Sequence, residues 1–198
     1  MQDWSGNKKT VFVTNGDSSH SQQARADWDY YATDPRAVTE LLKRETFSEV
    51  ILEPACGGGH ISETLKEHGY YVKSVDIVKR DYNGQSETSD FLQRRETWCG
   101  DIITNPPYKY AAEFVQHALE IIDNGQKVAM FLKLTFLEGE KRRALFQQYP
   151  PRKIYVFTNR INCALNGNAA YFKKSSAVCY AWFVWEKGSQ QMPVIDWI

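Results

Sequence analysis

The sequence predicts an α/β fold: a mostly parallel sheet of seven strands with an antiparallel edge strand and helices on both faces. Three observations predict it. Strand-like and helix-like segments alternate from residue 50 to residue 149. The first of these strands, Val50-Ile51-Leu52, runs directly into a glycine-rich turn and then a helix, the opening half of a nucleotide-binding βαβ unit. Two apolar runs near the end, Ile154–Phe157 and Ala177–Trp185, follow one another with no helical pattern between them, as an antiparallel pair would.

Length and composition bound the rest. A chain of 198 residues is most simply one domain with a substantial core, and 42% hydrophobic residues fit a globular fold. No apolar run approaches the length of a bilayer span, and Met1-Gln2-Asp3-Trp4 lacks a charged-then-apolar signal pattern, so the expected location is the cytoplasm. Cys56, Cys99, Cys163 and Cys179 are scattered without a CxxC pair, which argues for reduced thiols and against a metal site. The formal net charge is zero, yet Lys141 to Lys187 holds nine basic residues against the single acid Glu186, a net of +8. Such segregation is the footprint of a polyanionic partner, or equally a solvated basic face without function.

Residues 1–29 are polar and Gly/Ser-rich and read as a flexible arm, residues 30–187 as the domain, and residues 188–198 as an uninformative tail. Asp34-Pro35 opens a helix, with Asp34 as N-cap and Pro35 in the first turn, running through Arg44. After Val50–Leu52 come Glu53-Pro54-Ala55-Cys56-Gly57-Gly58-Gly59, then a helix from about Ile61 to His68 closed by Gly69. The glycines allow a ligand to approach the backbone closely, although the spacing is not the dinucleotide fingerprint. A second strand, Tyr71–Val75, ends at Asp76, the place where such folds hold ribose hydroxyls with a carboxylate; a turn or helix cap is the other use of an acid there.

A polar connection leads to Asp90-Phe91, an acid followed by an aromatic that could wall a purine pocket. Asp101–Thr104 reads as a buried strand, Ala111–Ile122 as an amphipathic helix, Lys127–Lys133 as a strand, and Leu137–Tyr149 as a helix stopped by Pro150-Pro151. Between the last two strands lies Thr158–Ser176, a long loop carrying Arg160, Lys173 and Lys174, and loops of that length are usually functional or disordered.

The chemistry concentrates at Asn105-Pro106-Pro107-Tyr108. Two consecutive prolines end the strand and free its last carbonyls from the ladder. The result is an amide oxygen from Asn105, a carbonyl from Pro106 and the flat face of Tyr108 side by side. Two acceptors and a stacking surface suit a planar amine whose lone pair is delocalised, holding its hydrogens so that the nitrogen can attack an electrophile. Alone, the tetrapeptide equally fits a strand that stops at a Pro-Pro turn.

Taken together, Glu53 through Gly59, then Asp76, then Asn105-Pro106-Pro107-Tyr108 resemble the class I S-adenosylmethionine-dependent methyltransferases. Within them, the closest resemblance is to DNA adenine-N6 methyltransferases, especially small single-domain ones of phages and mobile elements. The resemblance extends from about Tyr30 to Trp185 and implies a Rossmann-like fold with S-adenosylmethionine as cofactor. It implies that the Tyr30–Pro35 segment, with Tyr31, Thr33 and Pro35, closes over the methionine end, that Glu53, Pro54, Ala55, Gly57 and Gly59 pack against it, and that Asp76 binds the ribose. It further implies that Asp90 accepts from the adenine amine of the cofactor, with Phe91 or Ile77 against that ring. Asn105 and the Pro106 carbonyl, braced by Pro107, would hold the target amine, and Tyr108 would stack on the target base. The implied partner is double-stranded DNA whose adenine is rotated out of the stack, with Lys109, Arg142, Arg143, Arg160, Lys173 and Lys174 as phosphate contacts. There is no room for a separate recognition domain. Either the Thr158–Ser176 loop and the arm would therefore read sequence, or specificity is low, or a second copy or partner supplies it. Methylation of adenine in structured RNA, methylation of a protein glutamine amide, and nucleic-acid binding without turnover are the competing readings.

Overall fold

The computed structural model describes residues 30–165, 167, 172 and 178–198; the arm and most of the 166–177 segment, including Lys173 and Lys174, lie outside the described residues. In chain order, the elements are β1 (Tyr31–Thr33), α1 (Pro35–Leu42), β2 (Val50–Glu53), α2 (His60–Glu67), β3 (Tyr71–Asp76), β4 (Gln85–Thr88) and β5 (Asp101–Thr104). They continue with α3 (Ala111–Ile121), β6 (Lys127–Lys133), α4 (Arg143–Gln148), β7 (Lys153–Val156), β8 (Cys163–Leu165), β9 (Tyr180–Glu186) and β10 (Val194–Trp197).

Eight strands form one sheet in the order β10-β7-β9-β6-β5-β2-β3-β4. β9 is antiparallel to β6 and β7, and every other neighbouring pair is parallel. The sheet twofold alternates cleanly between two apolar faces. Leu52, Ile102, Val128, Met130 and Phe183 pack with α3 and α4, whereas Ile51, Ile103, Ala129, Phe131 and Trp182 pack with α1 and α2. Period-two patterning with both faces apolar is what a sheet sandwiched between helix layers requires.

The layers and the parallel core match the sequence-based expectation, and four details differ from it. The supposed tail carries β10, parallel to β7, which makes the sheet eight-stranded. The antiparallel strand β9 lies inside the sheet, because β7 and β10 continue beyond it. The polar connection contains β4, whose Gln-Ser-Glu-Thr sequence has no apolar period; an edge strand needs none, and polar edges discourage further pairing. The helix expected over 137–149 is confined to Arg143–Gln148. Upstream of it are two 3₁₀ turns, Leu134–Leu137 and Glu140–Arg142, separated by Gly139 at φ 107°.

Strand order reverses between β2 and β5: β3 and β4 lie to one side, β6 to the other. A crevice opens at the carboxyl ends of strands at such a switch point, and ligands of doubly wound sheets bind there. Asp101 fixes the opposite end of β5. Its carboxylate accepts the backbone N–H groups of Ser48 and Lys127, each at 2.6 Å, which ties β5 to the chain entering β2 and to the start of β6.

Candidate active site

Four strand ends build the site. β2 delivers Glu53 and the glycine turn, in which Gly57 and Gly59 adopt φ of 51° and 81°, conformations that a side chain resists. The turn is pinned from within: the Gly57 N–H donates to Asp76 Oδ2 at 2.8 Å and the Cys56 N–H donates to the Val75 carbonyl at 2.8 Å. Asp76, at the end of β3, also accepts from the Val78 N–H through Oδ1 at 2.9 Å. Arg80 Nε stands 3.6 Å from Oδ1, whereas Oδ2 has the Gly57 N–H and a further lone pair, so Asp76 can accept from a ligand hydroxyl while holding the turn.

Glu53 is fully buried, and burial holds its carboxyl well above the ordinary carboxylate range, with the Ser62 hydroxyl donating to Oε2. Asp90 accepts from the Leu92 N–H at 3.0 Å and starts a 3₁₀ turn that turns Phe91 inward against Phe114, ring centroids 5.0 Å apart.

These ends enclose a cavity of about 580 Å³. Thirteen residues proposed from sequence line it: Tyr31, Thr33, Glu53, Pro54, Ala55, Asp76, Ile77, Asp90, Phe91, Asn105, Pro107, Tyr108 and Lys109. Of the proposed catalytic and cofactor residues, four fall elsewhere. Pro35 occupies the first turn of α1, Pro106 is buried behind the wall, and a Cβ on Gly57 or Gly59 would strike the ring of Tyr30 or Tyr82. The two glycines therefore make room for aromatic side chains as well as shaping the turn. Tyr30, the first residue of the segment expected to close over the methionine end, also lines the cavity, as do His60 and Arg80, which were not anticipated. The Tyr30 hydroxyl accepts from the Gly58 N–H at 2.9 Å, and the Arg80 guanidinium lies 4.8 Å from the Tyr30 ring centre. The only sequence signal for His60 and Arg80 was proximity to motifs already chosen.

Asn105 follows β5 at the mouth. Its Nδ2 donates to the Tyr31 carbonyl at 2.8 Å and to Thr33 Oγ1 at 3.0 Å. Its Oδ1 is buried and has no hydrogen-bond partner. A buried acceptor left empty costs about 1–3 kcal/mol, which a donor arriving from a ligand would recover. Tyr108 stands beside it, its ring centre 6.1 Å from those of Tyr31 and Tyr180, with Lys133 Nζ 5.1 Å from its centre. Burial raises the Tyr108 phenol well above its usual pKa, so it is neutral and acts as a flat surface. Lys133, the last residue of β6, is an exposed cation at this mouth that the sequence reading passed over.

The basic stretch does not form one surface at the cavity. Arg152 and Lys153 join Lys127 around the buried Glu45, at the amino ends of β6 and β7 and so at the edge opposite the site. Lys187 Nζ donates to the carbonyls of Glu120 and Ile122 at the end of α3. Arg142, proposed as a phosphate contact, is engaged by the carbonyls of Thr135, Phe136 and Glu138. Arg143 and Arg160 are exposed, the latter donating to Cys179 Sγ at 2.6 Å. Among the described residues, no group of three His, Cys, Asp or Glu side chains could hold a metal ion, and no helix is long and apolar enough to cross a membrane.

Comparison with solved structures places this architecture. A class I S-adenosylmethionine-dependent methyltransferase candidate from Listeria monocytogenes superposes with TM-score 0.53 at 13% identity, covering 81% of this chain and 62% of that one. The fold is that of class I methyltransferases. A candidate RNA methyltransferase from Pyrococcus horikoshii gives TM-score 0.58 at 16% identity over 90% of this chain and 98% of that one. The type IIG restriction endonuclease BpuSI gives 0.55 at 15% identity over 91% of this chain and 27% of that one. No protein-family description and no curated protein sequence matches the chain.

The cavity fits the cofactor of that fold on its own chemistry. It combines the Glu53-Pro54-Ala55 wall at the end of β2, the Asp76 carboxylate at the second strand end, and an acid, Asp90, beside buried Phe91, where a purine would lie.

Proposed function

We propose that this chain transfers a methyl group from S-adenosylmethionine to the 6-amino group of adenine, in DNA. One observation carries the reading: the buried, unpartnered Oδ1 of Asn105, presented at the mouth of a class I methyltransferase cavity while Nδ2 is held behind it.

When bound, the cofactor supplies a methyl group on a positively charged sulfur, an electrophile that needs no further activation. The protein's task is then to bring one nitrogen in line and remove water from between. Asn105 Oδ1 takes one N–H of the target amine, which draws the nitrogen lone pair out of conjugation with the ring. Tyr108 offers its face to the purine. Neutral Asn105 is sufficient because the amine's proton need leave only after transfer.

An adenine within a duplex must leave the stack to reach this mouth, at about a few kcal/mol. Lys109, Lys133, Arg143 and Arg160, with Lys173 and Lys174 of the 158–176 loop, supply phosphate contacts that offset that cost. The loop reads the surrounding sequence, since its described part, β8, pairs directly with β1 above Asn105.

The test is transfer of labelled methyl from S-adenosylmethionine to unmethylated duplex DNA, structured RNA and mixed protein, with Asn105→Ala as control. N6-methyladenine in DNA, lost in the variant, is the expected result. Label in RNA or protein would reassign the acceptor, and no label in any acceptor would refute the enzymatic reading.

A further inference from the structure

The methyltransferase reading requires that Asn105 present oxygen, not nitrogen, to its target. A carboxamide is nearly symmetric in shape, so packing alone cannot decide which end points out; hydrogen bonding must. Here Nδ2 faces two oxygen acceptors, with Cys163 Sγ farther off at 3.9 Å. The Tyr31 carbonyl can only accept, and Thr33 Oγ1 lies 3.0 Å away on a side chain just 2% exposed. Turning the amide over would set Oδ1 against the Tyr31 carbonyl, which has no hydrogen to give, so the carbonyl selects the orientation and Thr33 Oγ1 holds the second Nδ2–H within it.

We infer that Thr33 is a positioning residue: its hydroxyl, with the Tyr31 carbonyl, locks the Asn105 amide with Oδ1 toward the target amine. Thr33 thus acts through Asn105 and not on the methionine end of the cofactor, the role the family resemblance implies for it. β1 is in turn held by its antiparallel pairing with β8, in which Thr33 lies opposite Cys163 and Ala32 opposite Ala164. Both acceptors therefore belong to a two-stranded ribbon that is separate from the main sheet and joined to the proposed recognition loop. Ordering of that ribbon sets the amide.

Thr33→Val keeps the β-branched shape and removes the acceptor; Thr33→Ser keeps the acceptor. With cofactor and DNA both saturating, Thr33→Val should lose about three- to tenfold in kcat, the worth of one hydrogen bond, with KM for the cofactor unchanged and activity restored in Thr33→Ser. A second reading is independent of turnover. In the amide proton spectrum of the uniformly ¹⁵N-labelled full chain, the Asn105 side-chain pair, identified by its loss in Asn105→Ala, should exchange slowly with solvent in wild type and Thr33→Ser. In Thr33→Val one of its protons should shift upfield and exchange faster.

A weaker cofactor affinity with unchanged kcat in Thr33→Val would return Thr33 to the cofactor and overturn the inference. Unchanged rate and unchanged amide protons would overturn it as well. Should wild type methylate no acceptor, the functional proposal fails, whereas the amide measurement still decides whether Thr33 orients Asn105.

Discussion

Glu45 tests how much of the basic stretch is structural. Its side chain is 3% exposed and receives Lys127 Nζ at 2.8 Å, the Tyr155 hydroxyl at 2.6 Å and Arg152, with Lys153 at 3.8 Å. Glu45→Gln preserves shape, yet it removes the charge that three cations face and sets an NH₂ group against one of the donors. Breaking a buried pair costs about 3–5 kcal/mol; because the three cations retain 17–31% exposure, water relieves part of this and about 2–4 kcal/mol remains. For a domain of this size that is a fall in Tm of about 5–15 °C at pH 7, measured by calorimetry. Burial raises the Glu45 pKa, but the hydrogen bonds from Lys127 and Tyr155 and the fields of Lys127 and Arg152 outweigh it and hold the group below its ordinary value. A carboxylate depressed in the folded state contributes stability above its unfolded pKa and loses it as pH falls through the folded one. The gap between wild type and variant should therefore persist down to the ordinary glutamate value of 4.5 and close below it, where protonated Glu45 resembles glutamine. A Tm within about 2 °C of wild type at pH 7, or a gap that stays constant into acid, would refute the reasoning.

Three further outcomes follow from the site. Asp76→Ala removes the acceptor proposed for the ribose and releases the Gly57 and Val78 N–H groups, so cofactor affinity by calorimetry should fall by about tenfold or more; undiminished affinity would remove Asp76 from the site. Lys133→Ala should weaken binding to duplex DNA and lower the slope of log K against log salt by about 0.9, while Lys153→Ala, on the Glu45 side, leaves the slope unchanged. Iodoacetamide at pH 8 should label exposed Cys99 and Cys179 well before Cys56 and Cys163: burial raises both of the latter thiols, Cys163 to about 11, and first labelling of Cys163 would contradict that burial.

The site was legible in the sequence because its parts are local. A strand that ends in a glycine turn, a strand that ends in Asp76 and a strand that ends in Asn-Pro-Pro-Tyr each declare themselves within a few residues, and a parallel sheet brings all three ends to one edge. Elements recruited by distant partners were not legible. β1 is three residues long, and it forms against β8, which lies more than a hundred residues away. β10 follows Met-Pro in a stretch whose exposed Val194, Ile195 and Trp197 carry no alternation, and β7 supplies its register. Gly139 and the Arg142 guanidinium, capping three carbonyls, divide what periodicity presents as one long helix.

Charge was the least legible property, for a reason the sheet makes plain. Lys127 and Lys133 begin and end the same strand, so about 20 Å separates their Cα atoms. The first serves Glu45 at the closed edge, and the second faces Tyr108 at the open one. In a parallel sheet, a basic residue belongs to the site or to the scaffold according to which end of its strand it occupies. The +8 of the 141–187 stretch therefore splits: Arg152, Lys153 and Lys187 are taken up by the fold, and Arg160, beyond the carboxyl end of β7, is left on the side of the cavity. Among the described residues, Lys133 and Arg160 are cations at or beyond the carboxyl ends of their strands, on the side of the cavity, which makes them the substitutions that a binding experiment should reach first.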